Sequence, residues 1–266
     1  MPAEARRLQI IDLLGKSGTG VVSVTVLARQ LGVSEVTIRR DLDWLELHSV
    51  LTRVHGGAIS YQKDEEKPFD DRVLQSNPQK SIIGWAAAQL VRSGERIILD
   101  AGTTTQQLAR NLAGCGALTV ITNNIHIMST LARFPQIETI MLGGTLKHLE
   151  MCTVGPMVTQ ALSVLTVDKC FLSAAGFDAV QGLTDQDMRE VEVKQAMMRS
   201  AREVILVADS SKWGQVKLVR LAALNQIHKL VSDDRLPREA IAALEATGVE
   251  VFTPERLAER IVRGDE

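Results

Sequence analysis

Residues 25–48, TVLARQLGVSEVTIRRDLDWLELH, form the strongest local pattern of this 266-residue chain. Two helical patterns are separated by a short turn at residues 31–34, a spacing typical of a helix-turn-helix. Gly32 ends the first helix, because glycine readily adopts the left-handed conformation found there, and Ser34 can cap the second. Apolar side chains at helical spacing hold the two helices together: Leu27, Leu31, Val33, Ile38, Leu42 and Leu45.

The outward face of the second helix carries side chains that can read DNA. At 100° per residue, Arg40 points nearly opposite the apolar face, and Thr37 and Arg39 flank it. The first residues of a recognition helix contact base edges in the major groove, where arginine binds guanine or phosphate. The candidate DNA-binding residues of this helix are Ser34, Glu35, Thr37, Arg39 and Arg40. The alternative is an ordinary helical hairpin with a solvated charged face.

A hairpin follows the two helices. Residues 50–59, VLTRVHGGAI, contain two short strand patterns around Gly56 and Gly57. Such a hairpin would act as a basic wing, in which glycines allow a close approach to DNA phosphates and Arg53 contributes a positive charge. We place Arg53 and His55 among the DNA-binding candidates, with a structural role as the alternative for His55.

Residues 61–80, YQKDEEKPFDDRVLQSNPQK, separate two parts of the chain. They are charged, hold two prolines and lack apolar periodicity, so the sequence predicts a linker. Residues 1–60 before it are a winged helix-turn-helix domain, whose first helix carries Leu8, Ile11 and Leu14 at helical spacing. Residues 81–266 after it form a second, larger domain.

The second domain alternates between strand patterns and helix patterns. The predicted strands cover residues 95–100, 117–122, 137–142, 168–174, 203–208, 227–232 and 249–252. The predicted helices cover residues 80–92, 103–113, 125–133 and about 187–202, and one more lies between the last two strands. This alternation predicts an α/β fold: a Rossmann-like, mostly parallel α/β domain after the winged helix-turn-helix.

Polar loops follow several of these strands, and open α/β sheets bind ligands at the carboxyl ends of their strands. The segment DAGTTT at residues 100–105 closes one strand and opens a helix, whose free N–H groups and threonine hydroxyls can bind phosphate. Asp100 accepts hydrogen bonds, which suits sugar hydroxyls. A capped strand-to-helix turn without a ligand is the alternative. The ligand-binding candidates at strand ends are Asp100, Gly102, Thr103, Thr104, Thr105, Asn123, Gly143, Gly144, Asp209 and Lys212.

Lys194 is a further ligand-binding candidate, on the helix after the fourth strand. Its ammonium can supply positive charge for a phosphate or hydrogen bonds for a sugar. A solvated lysine paired with Glu190 is the alternative. Met197 and Met198 fit the core better than a functional role.

The charge balance limits how this protein can bind DNA. The net charge is −2, from 30 basic and 32 acidic residues, which argues against coating nucleic acid through bulk charge. Residues 1–60 hold 7 basic and 6 acidic groups, so even this domain is barely basic. Aromatic residues make up 3%, too few for a platform that stacks single strands. DNA affinity then rests on a few placed side chains and on oligomerisation.

Cysteine usage and apolar patterning indicate the compartment. Cys115, Cys152 and Cys170 are widely spaced and form no CxxC pair, which excludes a disulfide framework and a zinc ribbon and favours reduced thiols. The first residues carry a charge inside every short apolar run, unlike a signal peptide. The uncharged stretches 112–132 and 151–167 are each interrupted by polar residues, unlike a membrane helix. We therefore expect a cytoplasmic protein that needs neither a metal nor a cofactor and does not bind a membrane.

Two motifs in the first domain resemble the DeoR family of bacterial transcription regulators. Residues 34–42, SEVTIRRDL, match the family's S-x-x-T-I-R-R-D-L recognition helix, and residues 53–58, RVHGGA, match its R-x-H-G-G-A wing. The segment 15–24 is about two residues longer than the usual loop, and Ser49 stands where the family commonly has glycine. Both departures lie away from the candidate base-reading residues.

Residues 81–235 resemble the sensor domain of the same family. The matching motifs follow in the family's order: D-A-G-T-T-T, T-N, L-G-G-T-L, V-G-P, E-V-K and A-D-S-S-K. The resemblance implies a fold similar to ribose-5-phosphate isomerase and a phosphorylated sugar as effector. It also implies a homo-oligomeric repressor of carbohydrate-metabolism genes that binds double-stranded operator DNA. Asp185 replaces a threonine common in the family, a change that bears on the choice of effector.

A sugar-phosphate isomerase fused to a DNA-binding module is the alternative function. Isomerisation needs a positioned base and an electrophilic partner near the sugar, which these isomerases provide partly in D-G-A-D-E and K-G-G-G segments. The corresponding residues 173–178 and 181–184 lack the first acid and the lysine, although Glu192 remains as a candidate acid. The sequence thus favours a regulator without enzymatic activity. A DNA-binding structural protein without a ligand fits poorly with so many polar loops.

Overall fold

The computed structural model describes residues 3–16, 21–47, 51–54, 57–60 and 77–257. The chain divides into two compact units, Met1–Leu74 and Gln75–Glu266. Within the described ranges, no helix has both the length and the apolar character needed to span a membrane.

The amino-terminal unit contains three helices and a small antiparallel sheet. The helices are α1 (Ala3–Lys16), α2 (Val24–Leu31) and α3 (Glu35–Leu47), and the strands are β1 (Val21–Ser23), β2 (Leu51–Val54) and β3 (Gly57–Ser60). The sheet order is β1-β3-β2, with both pairs antiparallel. The hairpin predicted over residues 50–59 is confirmed. Strand β1 was not predicted, because three residues give no measurable alternation.

One apolar cluster holds the helices of this unit together. Its buried members include Ile10, Leu27, Ile38, Leu42 and Leu45, and Leu31 and Val33 pack against them. The predicted interface between α2 and α3 is therefore confirmed. Helix α1 buries Ile10 completely, whereas Ile11, on the predicted face, is only partly buried.

The turn between α2 and α3 forms as its residues predict. Gly32 has φ 64°, and its N–H donates to the carbonyl of Ala28, which ends α2. The Ser34 hydroxyl accepts the N–H of Thr37 at 3.2 Å, which caps α3. Since both devices are local, the sequence was sufficient to predict them.

The carboxy-terminal unit is built on seven parallel strands. They are β4 (Arg96–Leu99), β5 (Leu118–Thr122), β6 (Ile137–Met141), β9 (Val167–Leu172), β12 (Ala201–Val207), β14 (Lys229–Val231) and β15 (Glu250–Phe252). All seven were predicted, and each end lies within two residues of the prediction. Their order is β15-β14-β12-β9-β4-β5-β6.

Helices cover both faces of this sheet. They are α4 (Asn77–Ala88), α5 (Thr103–Asn111), α6 (Ile125–Leu131), α7 (Pro156–Ser163), α8 (Met188–Ser200) and α9 (Arg238–Ala246). Helix α7 was not predicted. Helix α4 begins inside the segment 61–80 predicted as a linker, because proline is compatible with a first helical turn and Pro78 therefore does not exclude it. Residues 61–76 lie outside the described part of the chain.

Two small antiparallel sheets were also missed. One is the hairpin of β7 (Thr145–Lys147) and β8 (Cys152–Val154), and the other contains β10 (Gly176–Asp178), β11 (Gly182–Asp185) and β13 (Val219–Ala222). Strands of three or four residues are too short for a periodicity to reveal.

The core occupies both faces of the seven-stranded sheet. Along β4, Ile98 belongs to one buried cluster, whereas Ile97 and Leu99 belong to the other. Burial on both faces explains why these strands are continuous apolar runs. Met197 is fully buried and Met198 packs against the core, so their predicted structural role is confirmed.

The strand order reverses between β4 and β9. The chain adds β5 and β6 on one side of β4, and β9, β12, β14 and β15 on the other. In open α/β sheets, the connections on either side of such a reversal diverge and leave a crevice at the carboxyl ends of the strands. The residues that follow β4 and β9 are therefore the strongest candidates for a ligand site.

Candidate functional site

The motif SEVTIRRDL on α3 divides into structural and outward-facing residues. Ile38 and Leu42 are buried in the core of the amino-terminal unit. Asp41 is 2% exposed and accepts hydrogen bonds from the guanidinium groups of Arg6 (2.5 Å) and Arg7 (3.1 Å). Asp41 therefore anchors α1 to α3, a role that the sequence alone did not reveal.

The exposed residues at the start of α3 are Glu35, Val36, Arg39 and Arg40. Thr37 is partly buried, with its hydroxyl 2.9 Å from that of Ser34. Among the residues that the structure describes, the Arg40 guanidinium has neither a hydrogen bond nor an ion pair. Arg40 is thus exposed, as its predicted place opposite the apolar face requires, and its contact with DNA stays a prediction.

Glu35 is held by other protein groups. Its carboxylate accepts a hydrogen bond from the Thr25 hydroxyl at 2.7 Å and lies 3.6 Å from the Arg39 guanidinium. Glu35 therefore links α2 to α3 and orients Arg39.

The predicted wing is only partly described. Arg53 lies on β2, and His55 falls outside the described residues, so the contribution of the wing stays a prediction.

Asp100 joins the ends of β4 and β9 at the point where the strand order reverses. Its Oδ2 atom accepts the N–H of Ser173 at 2.9 Å and the Ser173 hydroxyl at 2.7 Å. Within the described chain, Asp100 Oδ1 accepts no hydrogen bond. One carboxylate oxygen thus holds the two strands together, and the other can accept a hydrogen bond from a ligand.

Lys194 contacts the same strand ends and is 4% exposed. Its ammonium donates to Asp185 at 2.6 Å and to the carbonyl and hydroxyl of Ser173, both at 3.1 Å, and lies 3.3 Å from Asp100. The alternative of a solvated lysine paired with Glu190 is therefore wrong, because Lys194 is buried against two other carboxylates. Burial alone would lower the pKa of Lys194, but Asp100 and Asp185 raise it above the usual lysine value.

The first turn of α5 completes this side of the crevice. No side chain caps α5 at Gly102, so its first N–H groups remain available to an anion. A Cβ atom at Gly102 would lie 2.9 Å from Ser173 Cβ, so only glycine lets the loop approach β9 this closely. Thr103 and Thr104 follow, more than nine-tenths buried, and Thr105 donates its hydroxyl to the Gly102 carbonyl at 2.8 Å.

Asn123 contributes an unsatisfied polar atom at the end of the neighbouring strand. It is 2% exposed, and its amide nitrogen donates to the Thr153 carbonyl at 2.9 Å. Its buried Oδ1 atom has no hydrogen-bond partner in the described chain. Because such an atom costs free energy, a ligand or water that donates to it would be stabilised.

The hairpin of β7 and β8 is tied to α8 by charged side chains. Lys147 donates a short hydrogen bond to Glu190, and its ammonium lies 3.5 Å from Asp187.

Burial, followed by the carboxylates of Glu190 and Asp100, raises the pKa of the Cys152 thiol to about 12. The three cysteines are free, in agreement with the prediction of reduced thiols.

The remaining predicted ligand residues lie at other strand ends. Gly143 and Gly144 follow β6, where a Cβ atom at Gly144 would lie 2.8 Å from the Val154 carbonyl oxygen. Asp209 follows β12, is 4% exposed, and accepts the N–H of Ser211 at 3.2 Å. Lys212 ends the short turn that Asp209 opens. These residues follow strands of the same sheet as Asp100, but within the described residues none of them is bonded to Asp100.

Glu192 does not join the candidate site. It is exposed, whereas Lys194, two residues further along α8, is buried. Two residues correspond to about 200° around a helix, so the two side chains point in nearly opposite directions. The suggestion of Glu192 as an acid beside the ligand is therefore wrong, and Glu190 is the acid of this helix that lies near the crevice.

Asp187 stabilises the start of the helix that carries Lys194. Its carboxylate caps α8 by accepting the N–H of Arg189 at 2.8 Å, and pairs with the Arg189 side chain and with Lys147. These contacts, led by the hydrogen bond from the Arg189 side chain, hold the pKa of Asp187 below its usual value. The resulting stability is present above the pKa of an unfolded aspartate, about 4, and is lost as the pH falls further.

We therefore expect Asp187→Ala to lower the free energy of unfolding by about 1–2 kcal/mol at pH 7, from the lost cap and charge pairs. Urea unfolding of the full-length chain at pH 7 and at pH 3 measures the difference, which should narrow at pH 3. Asp187→Asn is the matched control, because asparagine keeps the cap without the charge. A difference between wild type and Asp187→Ala that does not change with pH would contradict this assignment.

The part of the chain that the structure describes holds no group of three or more histidine, cysteine, aspartate or glutamate residues placed to bind a metal ion. The carboxyl ends of β4 and β9 present a different set of groups. They combine an uncapped helix N-terminus, which suits an anion, with a free carboxylate oxygen, which suits hydroxyl donors.

Comparison with known proteins assigns a family to each unit. Residues 6–64 match the family model described as a DeoR-like helix-turn-helix domain, and residues 75–234 match the one described as a DeoR C-terminal sensor domain. Each match lies entirely within one of the two compact units.

Curated relatives match over nearly their whole length. An uncharacterized helix-turn-helix-type transcriptional regulator, YulB of Bacillus subtilis, is 36% identical over 247 residues, which cover 92% of this chain and 95% of that protein. The helix-turn-helix-type transcriptional repressor GlcR of Bacillus subtilis is 35% identical and covers 96% and 98%. A putative aga operon transcriptional repressor of Escherichia coli O157:H7 is 31% identical and covers 93% and 92%.

Solved structures match only distantly. Ribose 5-phosphate isomerase A of Neisseria gonorrhoeae is 15% identical, covers 50% of this chain and 52% of the isomerase, and gives a TM-score of 0.38. A likeness this weak has no bearing on function.

Proposed function

Because this chain belongs to the DeoR family of helix-turn-helix transcriptional regulators, we propose that it is a repressor of carbohydrate-metabolism genes controlled by a phosphorylated sugar. The chain is a DNA-binding transcription regulator on the strength of that membership. The identity of its effector and the direction of its control are the proposed part. We assign DNA binding to residues 1–60 and effector sensing to residues 81–266.

The observation that supports a phosphorylated sugar is the pairing of two features at one crevice. The N-terminus of α5 offers backbone N–H groups to a phosphate, and Thr103 and Thr104 add hydroxyls. Within the described residues, neither Asp100 Oδ1 nor Asn123 Oδ1 accepts a hydrogen bond, so each can accept one from a sugar hydroxyl. The proposed effector site comprises Asp100, Gly102, Thr103, Thr104, Thr105, Asn123, Gly143, Gly144, Lys194, Asp209 and Lys212.

The proposed DNA-binding residues are Ser34, Glu35, Thr37, Arg39, Arg40, Arg53 and His55. On the geometry of α3, Arg40 contacts DNA directly, whereas Ser34 and Glu35 act by holding the helix and Arg39 in place. One recognition helix reads few base pairs, so we propose a homo-oligomer that binds repeated half-sites.

Control of DNA binding by the effector then follows from its unequal affinity for two states of the assembly. The effector shifts the assembly away from its DNA-competent state only by binding the other state more tightly. Two relatives carry the word repressor in their names, which supports repression over activation.

A thermal-shift screen of the full-length protein tests the effector proposal. At 100 times its dissociation constant, a bound sugar phosphate should stabilise the protein by about 2.7 kcal/mol, whereas the unphosphorylated sugar should not. Inorganic phosphate is the control for binding at the α5 N-terminus alone. Stabilisation by free sugars but by no sugar phosphate would contradict the proposal.

A mobility-shift titration with the DNA upstream of the gene tests the regulatory proposal. A sugar phosphate that passes the screen should release the DNA. Failure of the wild-type protein to shift any upstream fragment selectively would contradict operator binding. Conversion of a sugar phosphate into its isomer, followed by NMR, would favour the isomerase alternative over a pure regulator.

A further inference from the structure

Val36 is an exposed apolar residue at the centre of the DNA-facing side of α3. It lies in the first turn of the helix and is 60% exposed. At 100° per residue, Val36 lies about 160° around the helix from the buried Ile38 and about 40° from Arg40. Val36 and Arg40 therefore form a line along the face opposite the core.

The packing of the amino-terminal unit does not account for Val36. The buried cluster of this unit takes its α3 members from Ile38, Leu42 and Leu45. A β-branched residue also slightly lowers helix propensity, so valine brings no local benefit at an exposed helical position. An isolated exposed valine is ordinary on a surface, but this one lies where the first turn of a recognition helix meets base edges.

The chemistry of valine restricts what it can recognise. Its side chain offers only methyl groups, and the one apolar group on the base edges of the major groove is the C5 methyl of thymine. We propose that Val36 reads a thymine methyl group in each half-site of the operator. Four residues span about 6 Å of helix, so this thymine lies within about three base pairs of the group bound by Arg40.

This proposal rests on α3 acting as the recognition helix. The test begins by selecting operator sequences from a random duplex library with the full-length protein. Each thymine of the selected half-site is then replaced singly by deoxyuridine, which removes only the C5 methyl group. For wild type, we expect one such replacement to weaken binding by about fourfold, the value of one buried methyl group.

The variant Val36→Ala should bind the selected operator more weakly but show no further loss with deoxyuridine at that position. Val36→Ser should behave in the same way, so the result does not depend on one variant. Val26→Ala is the matched control, because Val26 is also exposed, at 45%, but lies on α2. This control should keep the fourfold response of wild type.

Two results would overturn the proposal. One is wild-type binding that no deoxyuridine replacement weakens, and the other is a full fourfold response in both Val36 variants. Selection that enriches no sequence at all would instead refute DNA reading by α3 and, with it, the role of Val36. Far-UV circular dichroism of each variant confirms that it is folded before binding is compared.

Discussion

Replacing Arg40 with alanine should weaken binding to the selected operator by about 10- to 100-fold and relax the base preference at one position. A well-placed arginine contributes about 1–3 kcal/mol of discrimination against the wrong base. Arg40 is exposed at the centre of the outward face of α3, and no described residue pairs with its charge. The variant should remain folded, since the core of this unit does not include Arg40.

Fluorescence anisotropy at fixed salt, with the operator and a scrambled duplex, measures this effect. Arg39→Ala separates base reading from phosphate binding, because Arg39 lies on the flank of the helix, about 100° around from Arg40. We expect Arg39→Ala to weaken both duplexes alike and to reduce the salt slope by about 0.9. Arg133→Ala, in the carboxy-terminal unit, should change neither affinity. An unchanged ratio of operator to scrambled binding in Arg40→Ala would show that Arg40 does not read a base.

Most of the scaffold could be predicted from the sequence because its determinants are local. The Gly32 turn and the Ser34 cap depend on neighbouring residues, and each long strand is an apolar run with polar ends. The reversal of strand order between β4 and β9, in contrast, is a property of the whole chain. No pattern within a single segment specifies which strands become neighbours.

The environment of Lys194 shows why the candidate site was only partly predictable. Its partners Asp100, Ser173 and Asp185 come from the ends of three different strands. Lys194 and Asp100 were predicted as ligand residues and Asp185 was linked to the choice of effector, but their contact with one another was not predicted. Only tertiary contacts reveal that two carboxylates hold this lysine in a buried cluster.

Val36 illustrates the opposite case, because its outward position can be predicted from the sequence. Helical periodicity alone places Val36 on the outward face beside Arg40, as its 60% exposure confirms. Val36 was not among the predicted DNA-binding residues, all of which are charged or polar. Because thymine can be recognised through its methyl group, an exposed valine at this position is a candidate for base readout as well.

Asp100→Asn should weaken binding of the most stabilising sugar phosphate by about 10- to 100-fold, while operator binding without effector stays unchanged. Hydrogen bonds to charged groups contribute about 1.5–3 kcal/mol each, and within the described residues Asp100 Oδ1 accepts no hydrogen bond. The amide keeps the shape of the carboxylate and can still accept the N–H of Ser173. In a release assay, the variant should hold the operator at effector concentrations that release the wild-type protein.

Asp168→Asn is the matched control, because Asp168 joins the same two strands at their opposite ends. It lies on β9 and accepts the backbone N–H of Arg96, on β4, at 2.9 Å. Its partners hold the pKa of Asp168 below the usual value. Removing the charge of Asp168 should therefore lower the free energy of unfolding but leave the effector affinity unchanged. Titration calorimetry of both variants separates the two effects. An equal loss of affinity in both would assign Asp100 to the scaffold, whereas a loss confined to Asp100→Asn places the effector at the carboxyl ends of β4 and β9.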